Sequence, residues 1–191
     1  MGTEMPTLET ERLRIRPLAM DDLGPIHHVL SAAWGEPEND ETLAARERWL
    51  RWTVANYEEL AALVQPPYGD RAIVRRDTGV IVGGVGFVPL LAPFGQLPGF
   101  PAHQGSRRWF TEFGMFWAID PQHQGQGYAT EAARAMIDFA FEAFNLGRIL
   151  AGTEYDNEAS MGVMRKLGMR ILRNPFDDPP WFQVTGILER P

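Results

Sequence analysis

The chain has 191 residues, 45% hydrophobic and 23% charged, which suits one soluble globular domain large enough to bury its own core. The absence of cysteine excludes disulfides, thiolate metal sites and a cysteine nucleophile, and is compatible with a reducing compartment. A net charge of −7 argues against a nucleic-acid partner, leaves any polyphosphate ligand to local amides and a few basic side chains, and attracts a cationic partner. No basic segment followed by an apolar run opens the sequence, and no apolar run approaches the roughly 18 residues of a membrane helix. The expectation is a cytoplasmic protein without a membrane partner.

In chain order, residues 1–10 read as a loose start. Residues 12–16 alternate charged and apolar side chains, as a half-buried strand does, and Pro17 ends it. Asp21 or Asp22 can cap the next helix, with Pro25 tolerated in its first turn. His27 and His28 lie on this helix without a second ligand one turn on, so they read as surface or packing residues rather than metal ligands. Asn39 or Asp40 caps a long helix to about Leu63, with Leu43, Trp49, Leu50, Val54, Tyr57 and Leu60 roughly on one face. Residues 71–77 and 80–90 read as strands joined by a tight turn at Asp77-Thr78-Gly79. Gly83, Gly84 and Gly86 mark a bulge or a close backbone approach in the second.

Residues 91–108 form an irregular insertion in which Phe94, Leu97 and Phe100 alternate with prolines and glycines, followed by Pro101 and His103. A loop this long is usually functional. Its apolar residues fold onto an acceptor cleft, onto a neighbouring subunit as in a homodimer, or onto their own domain.

The chemistry concentrates after residues 113–119, a run that reads as a buried strand. Asp120-Pro121 stops it, Gly125 and Gly127 follow, and a helix opens with Ala133, Met136, Ile137, Ala140 and Phe144 at helical spacing. A strand, a glycine turn and a helix N-terminus make an anion site, because backbone N–H groups converge there and the dipole favours phosphate. No Lys-Ser/Thr pair follows the second glycine, since Tyr128-Ala129 stands there, so this is not a P-loop. Thr130 occupies the third glycine position of a dinucleotide fingerprint. Downstream, Gly147 reads as a helix C-cap and residues 148–153 as a strand. Asn157 reads as the N-cap of a short helix that carries Ser160 and ends at Gly168, and residues 169–173 and 183–189 close the sequence as strands. Strands and helices mix without strict alternation, so the expectation is an α+β domain spanning residues 1–191 with a largely antiparallel sheet.

Three blocks carry a family resemblance. Gln124-x-x-Gly127-x-Ala129 resembles the coenzyme A loop of the GNAT N-acetyltransferases. Asn157-x-x-Ser160 running on to Gly168-Met169, and the opening from Leu8 through Arg12 to Leu18, resemble the branch that acetylates ribosomal-protein N-termini. The resemblance implies a mixed six- or seven-stranded sheet, flanked by about four helices and parallel only between the fourth and fifth strands. It implies acetyl-CoA as co-substrate, an amine acceptor (a peptide N-terminus or a small molecule), direct attack in a ternary complex and no metal. Backbone contacts to the pantetheine arm fall on Phe116, Trp117 and Ala118. Diphosphate contacts fall on Gln124, Gly125, Gln126, Gly127, Tyr128 and Ala129, and Asn157 hydrogen-bonds the arm or merely caps its helix. Ser160 would donate to the departing thiolate. Glu112 is the first candidate for the base, two residues before the family's usual position near Gly114, with Glu154, Tyr155 and Asp156 as rivals and Met164 where some relatives keep a tyrosine acid. The first two helices wall the acceptor cleft in the family, which puts Trp49, Trp52 and Tyr57 either on substrate or in the core. The alternative is a catalytically silent acyl-CoA-binding regulatory module.

Overall fold

The computed structural model describes residues 6–100 and 105–190. Eight strands and four α-helices alternate irregularly along the chain: β1 (Leu8–Glu9), β2 (Leu13–Pro17), α1 (Leu23–Trp34), α2 (Asp40–Ala62), β3 (Gly69–Arg75), β4 (Ile81–Ala92), β5 (Phe110–Ile119), α3 (Tyr128–Ala143), β6 (Arg148–Thr153), α4 (Glu158–Leu167), β7 (Arg170–Arg173) and β8 (Val184–Glu189). The strands form one mixed sheet in the order β1-β2-β3-β4-β5-β6-β8-β7. β5 and β6 pair in parallel, while β1–β2, β2–β3, β6–β8 and β7–β8 are antiparallel. The α+β expectation holds, with one strand more than the six or seven expected. That strand is β1, which pairs Leu8 with Ile15 and Glu9 with Arg14 inside the stretch read as a loose start. Two residues are too few for a period-2 signal.

The chain forms two compact units, each built from two stretches. The first joins residues 1–86 to 117–139, and the second joins 87–116 to 140–191. In the first, Ile26, Val29 and Leu30 of α1 and Leu50 of α2 pack with Ala72 and Val74 of β3, Ile81 of β4 and Ala118 of β5. α2 begins where the sequence supplies a cap, the Asn39 side chain accepting from the Thr42 amide at 3.0 Å, whereas Asp22 before α1 makes no side-chain capping bond to that helix and accepts from Arg16 and the Ala19 amide instead. Gly83 is a close approach, since a Cβ there would lie 2.5 Å from the Ala118 carbonyl oxygen.

In the second unit, Phe94, Leu97 and Phe100 join Leu150, Phe182 and Ile187 in a core. Phe94 stacks on Phe100 at 5.3 Å and meets the edge of Phe182 at 5.5 Å. The buried Asn174 amide donates to Gln96 Oε1 (3.0 Å) and to the Phe182 carbonyl (2.8 Å), tying the insertion to the loop before β8. Residues 94–100 therefore pack on their own unit, while Pro101 and His103 lie outside the described residues. The left-handed residue after α3 is Asn145 (φ 54°), not Gly147. Asparagine tolerates this conformation, and the turn closes two residues before the expected glycine.

Candidate active site

In the first unit β5 ends at Ile119, and Asp120 turns the chain. Its amide donates to the Val82 carbonyl at 3.0 Å, and its carboxylate accepts from the Gln122 amide at 2.9 Å. A 3₁₀ turn over Pro121–His123 follows. Gln124 braces the loop, its side-chain amide donating to the Ile119 carbonyl at 2.9 Å. Gly125 (φ +75°) and Gly127 (φ +84°) are both left-handed, a conformation that side chains resist. The first bond of α3 runs from the Glu131 amide to the Gly127 carbonyl at 3.0 Å. Among the described residues the amides from Gly125 to Thr130 meet no acceptor. Gly125, Gln126 and Gly127 are exposed to solvent. Upstream on β5, Phe116 and Trp117 are half-buried and Ala118 is buried.

A buttress for this loop comes from the far N-terminal end of the sequence. Arg12 Nε and Nη2 lie 2.7 and 2.6 Å from Glu131 Oε2, and Nη1 donates to the Gln126 carbonyl at 3.0 Å. Glu131 Oε1 accepts from the Thr10 hydroxyl (2.6 Å) and the Arg12 amide (3.0 Å). The guanidinium sits 4.8 Å from the centre of the buried Tyr128 ring. Burial pushes the Glu131 carboxyl up, but the bonds from Thr10 and Arg12 overcome it and hold it below the usual carboxylate range. The composition of either segment gave no sign of this contact. The Glu131 position reads simply as an acid in the first turn of a helix.

In the second unit Asn157 caps α4, its Oδ1 accepting from the Ser160 amide at 3.0 Å. Ser160 is half-buried, and among the described residues its hydroxyl has no hydrogen-bond partner. Glu112 lies on β5, where Arg148 grips both its oxygens: Nε donates to Oε2 at 2.8 Å and Nη2 to Oε1. The Arg148 guanidinium also rests 5.0 Å from the centre of the Phe100 ring. At Gly114 there is no room for a side chain, because a Cβ would stand 3.0 Å from Leu90 Cβ and 3.2 Å from the Val88 carbonyl. Of the rival acids and bases, Tyr155 donates its hydroxyl to the Asn174 carbonyl at 2.5 Å, whereas Glu154 and Asp156 are exposed.

On α2, Tyr57 accepts from the Leu18 amide at 3.0 Å and donates to the Asp70 carbonyl, and burial pushes its hydroxyl up to about 12. Trp49 packs on the core and hydrogen-bonds the Asp70 carboxylate, while Trp52 is 60% exposed. His27 is buried beside Ser31, and His28 pairs with Glu38 at 2.8 Å. Among the described residues no group of histidines and carboxylates can hold a metal ion, and no helix is long and apolar enough to cross a membrane.

A mixed sheet whose central strand runs through an exposed glycine turn into a helix defines an α+β protein. The family model described as acetyltransferase (GNAT) domain matches residues 12–170, and the chain belongs to that family: it is an acetyl-CoA-dependent N-acetyltransferase. It is similar to the spermidine N(1)-acetyltransferase of Escherichia coli K12, 36% identical over 162 residues, 83% of this chain and 73% of that protein. Among solved structures it resembles an acetyltransferase from Agrobacterium tumefaciens (TM-score 0.69, 25% identity, covering 100% and 98% of the two chains). It shares the fold of the ribosomal-protein-S5-alanine acetyltransferase of Vibrio fischeri (TM-score 0.64, 20% identity, covering 97% and 96%).

Proposed function

We propose that this chain transfers the acetyl group of acetyl-CoA to a primary amine by direct attack while both substrates are bound. The observation that carries the reading is the run of amides from Gly125 to Ala129 at the start of α3 that meet no acceptor among the described residues, on a turn whose Gly125, Gln126 and Gly127 are exposed. Such amides, with the helix dipole behind them, suit a diphosphate. In this reading the backbone of Phe116, Trp117 and Ala118 pairs with the pantetheine arm as a peptide adds to a sheet. Asn157 donates to the same arm. The neutral amine nitrogen bonds the acetyl carbon, the carbon–sulfur bond breaks, Ser160 hydrogen-bonds the departing thiolate, and the proton that the nitrogen sheds as it becomes an amide ends on the sulfur. A lysine-like ammonium near pKa 10.4 must first lose its proton. Glu112 serves this role poorly, because Arg148 occupies both its oxygens, so water carries the proton to solvent.

The acceptor class we favour is a polyamine or similar small cationic amine. The spermidine-acetylating relative and the net charge of −7 support it, with peptide N-termini next in order. The test is CoA release on presentation of spermidine, short peptides and aminoglycosides, alongside calorimetry of acetyl-CoA binding. Spermidine turnover is expected, and failure to bind acetyl-CoA at millimolar ligand would sink the reading. Gly127→Val should abolish cofactor binding. A side chain there is strained at φ +84°, and its Cβ would stand 3.4 Å from Arg12 Nη2. Unchanged affinity would remove the diphosphate from this turn.

A further inference from the structure

We infer that Arg12 is a positioning residue for the diphosphate cradle, setting from outside the loop the direction in which its amides point. This inference rests on the acetyl-CoA reading of that loop. A trans peptide is planar and points its C=O and N–H in opposite directions. Arg12 Nη1 holds the Gln126 carbonyl at 3.0 Å, so the Gly127 N–H of the same unit faces away from Arg12. Glycine at φ +84° has no intrinsic reason to hold that orientation, since the unsubstituted backbone lets the peptide rotate. The guanidinium supplies the missing constraint.

Arg12 is itself fixed at three points. Nε and Nη2 grip Glu131 Oε2, its own backbone amide donates to Glu131 Oε1 at 3.0 Å, and its guanidinium lies on the Tyr128 ring. Thr10 adds a fourth bond to the same carboxylate at 2.6 Å. The arrangement answers a second problem. Glu131 places a negative charge in the first turn of the helix that is to receive a diphosphate, and like charges repel. With its carboxylate oxygens engaged by Thr10 and Arg12, that charge is partnered. The turn between β1 and β2 is thereby tied to the first turn of α3 beside the proposed anion site.

The test compares two acetyl donors, acetyl-CoA and S-acetylpantetheine, which carries the same thioester arm without the diphosphate and nucleotide. For Arg12→Met the expected result is an acetyl-CoA KM raised about ten-fold or more with kcat within about two-fold, and an unchanged kcat/KM for S-acetylpantetheine. Equal losses with both donors would reduce Arg12 to a fold-maintaining residue, and no change with either would remove it from the cradle; either result overturns the inference. Glu131→Gln decides the case if Arg12→Met does not fold. An amide there turns a donor toward Arg12 and loosens its grip, so positioning predicts a raised acetyl-CoA KM. Bare charge repulsion predicts a lowered one, and that outcome also overturns the inference. If the unaltered protein turns over neither donor, the acetyl-CoA reading itself has failed.

Discussion

Two side chains make opposite kinds of prediction at the residue scale. Among the described residues the half-buried Ser160, in the first turn of α4, has no partner for its hydroxyl. Ser160→Ala should therefore leave the melting temperature unchanged and the acetyl-CoA KM within about two-fold, while kcat falls by about 10- to 100-fold, the loss of one donor to the leaving group. Steady-state kinetics checks it, and an unchanged kcat would assign the thiolate to water. Asp70 bears instead on stability. Burial pushes its carboxyl up to about 6, only partly opposed by a hydrogen bond from Trp49. An unfolded aspartate titrates near about 3.9, so between these values the native state binds the proton more tightly. Stability from this group is thus greatest at acid pH and declines as pH rises through 4 to 6. Relative to wild type, Asp70→Asn should gain about 1–2 kcal/mol at pH above 7 and little near pH 4, read from urea midpoints at the two pH values.

At the scale of elements, the end of β6 running through Asn157 into α4 shows what a sequence makes visible. A cap acts within three residues, so Asn157 and Ser160 declare their bond by spacing, and the structure has it at 3.0 Å. The glycine turn after β5 was legible for the same reason, because φ +75° and +84° demand glycine locally. What sequence did not disclose lies between distant positions: the Arg12 grip on Glu131, 119 residues away, and the clamp of Arg148 on Glu112 across 36 residues. Neither involves a periodicity or a turn, so neither leaves a local trace, and the two-residue β1 is too short to leave one. Asn157 also carries a separable prediction. Asn157→Ala should cost about 1 kcal/mol, or about 2–4 °C in melting temperature, through the lost cap. Asn157→Asp keeps the cap but removes the Nδ2 donor, which also reaches Glu154 Oε2 at 3.4 Å, so it should lose less stability than alanine and raise the acetyl-CoA KM. If it leaves that KM unchanged, the side chain is a cap alone.

Over the whole molecule the decisive quantity is charge. A chain with 25 acidic and 18 basic side chains must bind a polyanionic donor and, in the reading proposed here, a polycationic acceptor. Long-range fields act oppositely on the two, repelling acetyl-CoA and drawing in the amine. In the function proposed above the conflict is resolved at short range: uncharged backbone amides of the glycine turn would bind the diphosphate without altering the net field, and Glu131 in the first turn of α3 is held by Arg12. Salt separates the two ranges, because a Debye length shrinking from about 20 to about 7 Å between roughly 0.02 and 0.2 M screens steering while leaving direct contacts intact. Over that range kcat/KM for spermidine should fall several-fold, whereas kcat/KM for acetyl-CoA should hold or rise. Stopped-flow or initial-rate measurements with each substrate limiting in turn provide the check. A parallel fall for both would mean that fixed cationic side chains, rather than backbone amides, dominate donor binding.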